Sequence, residues 1–599
     1  MMRRVLLISL LFATVAAVPP AEAGKEQILE FKPTGEGILL AQEDRRRPGS
    51  VPQIEDLPPI DPNAVPPPLP NLPHETVPLP DRWRIVEALG VNSRWWDPYN
   101  QNTLKGDRPI FGEDWFINIA AISDTIYEPR GFPTPASPQT GREVGAFTRS
   151  VSQNVFATTL IPSISLIKGN TAFKPPDWEF RLTPAFQYNR AAAPDERVLE
   201  INPREGRVRH DSYFGIQEAF VDYHIRNVSD RYDFDSIRVG IQPIQSDFRG
   251  FLFQDLQFGV RLFGNRDNNV FQYNLGWFRR IEKDTNSGLN DVSQRPRDDD
   301  TFLANLYWQD LPVPGFTSQF TAVWNRNRED KRTHFNRNDF LERPARSFGK
   351  GTPRYYDVVY LGYNGDGHFG RFNLTTSAYL ALGRNSDNQF GDDTTRPDRS
   401  RITAFFYAAE PSIDFDWIRV RGSFLYASGD NKPHDNKETG FDAIFENPQF
   451  AGADTSYWMR QAVPFIGGGG TVLTGRNGLL NSLRTSKEEG QSNFNNPGLV
   501  LIGGGADLDI TPEVRLTGNL NYLRFAEREV IEVVRNQELR SNEIGWDLSL
   551  SLIYRPTFIQ NIVFRLSGAV LFGGDAFREL FATNEREFYS VLANLTLTY

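Results

Sequence analysis

The chain has 599 residues, a formal net charge of −10 and no cysteine. Those figures exclude a disulfide-stapled scaffold and, with no basic tract in view, a nucleic-acid binder. Mean hydropathy is −0.46, which excludes a bundle of membrane helices, although aromatic residues make up 13% of the chain.

Taken in chain order, the first element reads as a secretory signal over 1–23. Arg3 and Arg4 precede an apolar run from Val5 to Val18, and Ala21-Glu22-Ala23 offers a small-x-small cleavage site. The apolar run is too short to cross a bilayer as a helix. Residues 24–80 read as a disordered, proline-rich periplasmic linker, with Pro58, Pro59, Pro66, Pro67, Pro68 and Pro70 favouring an extended polyproline conformation. It is expected to thread peptidoglycan, to meet a periplasmic partner, or to serve as a leader without one. Residues 81–114 form a short periplasmic or lumen-entry segment. Its Trp95, Trp96 and Tyr99 stand beside Asp97, Lys105 and Asp107, a composition suited to packing the entry to a first strand or lining a mouth.

From 115 to 599 the signal is alternation with a period of two. In Glu543–Tyr554, Ile544, Trp546, Leu548, Leu550, Leu552 and Tyr554 alternate with Asp547, Ser549 and Ser551. Ile562, Phe564, Leu566, Val570 and Phe572 oppose Arg565 and Ser567; Trp178, Phe180, Leu182, Phe186 and Tyr188 oppose Glu179, Arg181, Thr183 and Gln187. The last run sets Tyr589, Val591, Ala593, Leu595, Leu597 and Tyr599 against Ser590, Asn594, Thr596 and Thr598. Such runs have the roughly ten residues that a tilted membrane strand requires.

Connections between runs alternate in length. Arg555 to Gln560, Thr511-Pro512, Glu410 to Asp416, Asn364 to Gly370 and Asp310 to Gly315 are short; Phe525 to Asn542, Gly429 to Pro497, Arg384 to Arg401, Arg326 to Arg354 and Glu282 to Asp299 are longer. Short periplasmic turns and long outer loops produce this rhythm, whereas a secreted sandwich has no cause to. The fold expected is all-β, a transmembrane antiparallel β-barrel of about eighteen strands with sixteen as the alternative, in the outer membrane of a Gram-negative-type envelope and surrounded by its lipid. The aromatic ending at Tyr599 resembles the terminal signature by which bacterial barrels are handed to their assembly machinery.

If the apolar face meets lipid, the other face lines a lumen. By parity Arg181, Arg238, Arg261, Arg280, Arg371, Arg419, Arg421, Arg515 and Arg565 point inward, against Glu179, Glu218, Asp222 and Asp547. The lumen is therefore expected to lean cationic, either as a path for anions or as a wall braced by ion pairs. The segment 429–497 is long enough, and apolar enough, to fold into the lumen as a constriction or over the mouth as a cap. Its Asp430, Asn431, Asp435 and Asp442 match no rigid metal motif, so neither a metal nor a cofactor is expected.

The stretches GIQEAFVDYHI (Gly215 to Ile225), IRVGIQPIQSDFRGFLFQDLQFGVRL (Ile237 to Leu262) and SGDNKPHDNKETGFD (Ser428 to Asp442) resemble the alginate-export family of porin-like barrels. The resemblance implies eighteen strands and an arginine-lined conduit for an anionic polysaccharide, with Arg238, Arg249 and Arg261 as candidates for the lining. The proline-rich leader and the size of the long loop depart from that pattern. Catalysis is not expected: there is no Gly-x-Ser-x-Gly elbow, no His-Glu-x-x-His pair and no thiol, and the six histidines are scattered. The function expected is an outer-membrane channel for polar, anionic solutes, extending to export of an alginate-like exopolysaccharide, with a general diffusion porin and a structural or adhesive barrel with a closed lumen as alternatives.

Overall fold

A computed structural model of the chain describes residues 102–599 apart from 134–151, 170–174, 195, 230–232, 346–351, 387–398, 464, 466–475, 482, 484–486 and 582–586, with isolated positions before 102. The expected signal peptide over 1–23 and the linker over 24–80 lie outside the described residues.

Eighteen long strands form one closed antiparallel ladder. They are β1 (Trp115–Gly131), β2 (Ser152–Lys168), β3 (Trp178–Ala192), β4 (Val208–Asn227), β5 (Phe234–Gln245) and β6 (Gln254–Arg266). Then follow β7 (Phe271–Arg279), β8 (Asp299–Trp308), β9 (Phe316–Asn327), β10 (Tyr356–Phe369), β11 (Phe372–Asn385) and β12 (Ser400–Phe415). The last six are β13 (Ile418–Ala427), β14 (Leu499–Asp509), β15 (Val514–Arg524), β16 (Glu543–Tyr554), β17 (Ile562–Gly573) and β18 (Glu587–Thr598). β18 returns to β1, with Ile122 opposite Thr598 and Arg130 opposite Ser590, so the sheet has no free edge. Closure matters because an unpaired strand edge in hydrocarbon leaves its backbone groups without water or a partner. Short periplasmic turns, an exposed apolar outer face and a closed ladder make this an outer-membrane barrel.

The alternation read from the sequence is the alternation of the wall. In β16 Trp546 and Leu548 are 45% and 46% exposed on the outside, while Asp547 between them is 1% exposed on the inside. One expectation fails there. Ile544 does not share the outer face but is fully buried inside the barrel. The cause is a bulge: Leu523 pairs with Gly545 and Arg524 with Glu543, so one residue of β16 is skipped. Gly545 sits at φ +136, where an added Cβ would meet the Phe572 carbonyl, and the slip reverses the parity of what precedes it.

The turns also fall nearly where expected, with one instructive error. Glu410 to Asp416 reads as a short connection, yet β12 runs on to Phe415 and only 416–417 turn. Pro411 is accommodated because the β12–β13 pairing lapses between Ala409–Phe424 and Ser412–Arg421, where no donor is required of it. Before β1, the strand Lys105–Phe111 pairs with the periplasmic end of β1. There Lys105 Nζ lies 3.8 Å from the Tyr599 ring and donates to the Ile119 carbonyl at 2.9 Å. The part of segment 81–114 that is described thus packs the entry to the first strand.

Several connections enter the lumen, and two of them meet the wall at Phe406. The loop 428–498 carries the short helix α1 (Tyr457–Gln461) and buries Phe441, Phe445, Tyr457, Phe465 and Phe494 completely or nearly so. They meet inward-facing wall rings: Phe441 lies 5.0 Å from Phe406, and Phe494 6.3 Å from Tyr356. Burying one such ring stabilises by about 2 kcal/mol, which is why apolar residues stand on the lumen face at this level. The β5–β6 connection, 246–253, is short but also folds inward, placing Phe251 5.1 Å from Phe406 and Phe253 6.1 Å from Phe278. Of the two places open to the long loop, its buried aromatic residues occupy the interior, while Lys437–Glu438 extends the upper edge of β12 at the rim.

Candidate functional site

The 246–253 and 428–498 loops are both tied to the wall by buried carboxylates. Asp247 Oδ1 accepts the N–H groups of Arg249, Gly250 and Phe251 at 2.9, 2.6 and 3.1 Å, and its Oδ2 accepts the Tyr379 hydroxyl at 3.0 Å. Asp547, on β16, accepts the Ser456 hydroxyl and the N–H groups of Tyr457 and Trp458 at 3.1 and 3.0 Å, capping α1. Glu410 accepts Ala451 N–H at 3.0 Å. Removing any of these would leave several buried donors unpaired.

Eight of the ten candidate arginines have a carboxylate partner. Arg181 holds Glu179 at 2.7 Å and Glu218 at 3.8 Å; Arg238 holds Asp222 at 2.7 Å. Arg419 meets Asp414 at 2.5 Å, Arg421 meets Asp507 at 3.1 Å and Glu410 at 3.9 Å, Arg515 meets Asp509 at 2.5 Å, and Arg565 meets Asp454 of the long loop at 3.0 Å. Arg249 belongs to the 246–253 loop, and reaches across the lumen to Glu410 at 3.3 Å and the Thr375 hydroxyl at 2.7 Å.

Besides Arg249, two of the candidates are not on the lumen wall. Arg280 lies beyond the end of β7, fully buried, with Asp299 at 3.1 Å and the Lys487 carbonyl at 2.8 Å. Arg371 lies in the turn between β10 and β11 and is exposed at the periplasmic mouth. The expected cationic surplus is also largely cancelled. Glu410 and Asp414 had been assigned to a turn, yet they stand on β12 facing inward, and Asp507 and Asp124 join them from β14 and β1.

One place keeps a surplus. Arg238 and Arg261 stand directly opposite each other on β5 and β6, and the neighbouring position on β4 is Asp222. Asp222 is committed to Arg238. Like charges directly opposite are destabilising, so this arrangement is not what stability alone would select. Arg238 lies 4.3 Å from the Phe220 ring and Arg261 4.8 Å from the Phe263 ring, contacts that support the side chains without neutralising them. Arg261 makes no ion pair among the described residues, and its Nε is buried without a partner.

Arg261 faces a recess of about 500 Å³ between wall and plug, lined also by Gln245, Asp255, Asn274, Tyr307 and Arg476. Arg476 comes from the long loop; it stacks 3.3 Å from the Phe445 ring and donates to the Gln254 and Phe445 carbonyls at 2.7 and 2.9 Å. Asp255 is shared by Arg476 at 3.6 Å and Lys283 at 2.8 Å. Burial pushes the Lys283 ammonium below its ordinary range, against the pull of Asp255. The recess therefore carries more positive than negative charge and has the volume of a small-molecule site. Arg476 and Lys283 were not foreseen, because nothing in a loop sequence says which strand it will lie against. Among the described residues no three histidines, aspartates or glutamates converge on a metal position; Asp442 is taken by Lys487 at 2.7 Å.

No family model matches the chain, and no curated protein matches it. Among solved structures it is similar to OccK5 (OpdH) of Pseudomonas aeruginosa at 12% identity, over 80% of this chain and 97% of that one, with a TM-score of 0.40. It is also similar to OpdK of the same organism, solved with vanillate, at 10% identity over 81% and 98%, with a TM-score of 0.43. OccAB3 of Acinetobacter baumannii matches at 10% identity over 81% and 99%, again at 0.43. The closed ladder of β1 to β18 carries the fold assignment by itself. The protein is a closed, eighteen-stranded antiparallel β-barrel of the outer membrane.

Proposed function

We propose that the barrel is a channel selective for small anionic solutes, with the recess at Arg261 as the place where they pause. The observation that carries this reading is a guanidinium that makes no ion pair among the described residues, directly opposite a second one, facing a recess of ligand size. Low-dielectric walls around an unbalanced charge focus the field and enrich solutes of opposite sign. Arg261 and Arg476 act as the binding cations, with Asn274 and Tyr307 as polar neighbours. Export of an anionic polysaccharide would use the same arginines, but it requires a lumen clear of loops. The inward course of 246–253 and 428–498 favours small solutes over a polymer.

Recording from the purified barrel in planar bilayers under a salt gradient tests the proposal. The expected reversal potential reports chloride preferred over potassium, with the preference falling in Arg261→Ala and inverting in Arg261→Glu. Cation preference in the unmodified protein would overturn it, as would selectivity indifferent to Arg261, the behaviour of a general diffusion pore. A barrel with no measurable conductance would establish the closed, adhesive alternative instead.

A further inference from the structure

Around the extracellular rim the outward-facing positions of neighbouring strands form a row that can be read directly from the register. It runs Arg279 on β7, Asp300 on β8, Arg326 on β9, Asp357 on β10, Arg384 on β11 and Arg401 on β12. The first five alternate in sign, with Asp300 flanked by Arg279 at 3.5 Å and Arg326 at 3.8 Å. Then the alternation stops. Arg384 stands directly opposite Arg401, and Arg401 directly beside Lys437, which belongs to a two-residue strand, Lys437–Glu438, on the open upper edge of β12. Three cations thus occupy three adjacent strands at one level, roughly 4.8 Å apart from strand to strand. All three are exposed, and none makes a side-chain ion pair or hydrogen bond among the described residues. The nearest acid in the row, Asp357, is held by Arg328 at 2.6 Å.

A row of like charges costs stability unless something bridges it. Its position says what the bridge is. Leu382, two residues along β11 from Arg384 on the same face, is 40% exposed, and Phe405 on β12 is 43% exposed. Two residues of strand advance about 7 Å, so the cations stand just above the apolar belt, at headgroup depth in the outer leaflet. We infer that Arg384, Arg401 and Lys437 form a binding site for the phosphate of an outer-leaflet lipid headgroup, whose acyl chains lie along Leu380, Leu382 and Phe405. Planar guanidinium forks suit phosphate oxygens in pairs, and the ammonium adds a point charge. The inference does not depend on what crosses the lumen.

The test uses the full barrel in phosphatidylcholine vesicles doped with lipid A or with its dephosphorylated form, reading bound lipid by native mass spectrometry after mild extraction. The unmodified protein is expected to retain the phosphorylated lipid and not the dephosphorylated one, in the presence of millimolar inorganic phosphate. A triple change, R384S with R401S and K437S, is expected to weaken retention about a hundredfold, on the order of fivefold per cation. R384K with R401K should keep most of it, and R326S, in the alternating part of the row, should leave it unchanged. A heat-modifiable gel shift establishes that each variant is folded; should the triple variant fail that check, R401S alone is expected to show the fivefold loss. Equal retention by folded variants, equal retention of the dephosphorylated lipid, or displacement by inorganic phosphate would each overturn the assignment.

Discussion

The two arginine-bearing walls of the lumen use the same residue for opposite ends. On β12 to β15 every inward-facing arginine has an acid beside it: Asp414 with Arg419, Arg421 with Asp507, Arg515 with Asp509. Across the lumen, on β4 to β6, the order is Asp222, Arg238, Arg261, and the last has no acid beyond it. The first wall is a set of braces, since each charge in a partly desolvated lumen is stabilised by a neighbour at hydrogen-bond distance. The second carries a charge left over. An arginine is thus made structural or functional by what the next strand places beside it, and that is set by register.

The comparison can be broken most forcefully at Arg421. Its side chain is 11% exposed and serves Asp507, Glu410 and the Asn519 side-chain carbonyl at 2.9 Å. Replacing it with alanine leaves Asp507 without its cation and Glu410 with Arg249 alone, and the expected loss is about 3 kcal/mol. Urea unfolding in phospholipid vesicles reads that loss as a lower midpoint at unchanged slope. Asp222→Ala comes next, with an expected cost of about 1.5 kcal/mol, because Arg238 keeps its aromatic contacts and is 17% exposed. The same change leaves two unpaired guanidinium groups side by side, so chloride preference should rise in bilayer recordings as stability falls. A fall in chloride preference would show that Asp222 organises the path and does not merely offset charge.

Much of the frame was legible before any coordinates. A period of two and an alternation of loop lengths are local signals, and Phe525–Asn542 as a loop and Trp546–Tyr554 as a strand follow from them. What escaped reading was non-local or depended on a slip of one residue. Ile544 was placed on the wrong face because Gly545 makes a bulge, and Glu410 and Asp414 were assigned to a short connection although β12 runs through them. Asp247 illustrates the deeper limit. Its six acceptor contacts fold a short connection into the lumen, yet the same DFRG sequence (Asp247 to Gly250) would suit an ordinary outer loop. Of the site, Arg238 and Arg261 were legible as inward arginines, while their lack of balancing acids was not, because balance is a sum over several strands.

The smallest expected effect separates the two walls best. Arg261→Ala forfeits a cation–π contact with Phe263, worth about 0.5–1 kcal/mol, and the packing of its stem. It also relieves the like-charge opposition to Arg238 across the β5–β6 ladder, a gain of the same order. No carboxylate is orphaned, since Asp222 keeps Arg238 and Asp255 keeps Lys283 and Arg476. The two contributions nearly cancel, so the unfolding midpoint should stay within about 0.5 kcal/mol of the unmodified barrel, the ordinary range for a change that breaks no buried network. A loss as large as that of Arg421→Ala would make Arg261 a brace like the others, and the division between the walls would disappear. Unchanged stability together with lost chloride preference is the combination that only an unbalanced, solute-facing charge can produce.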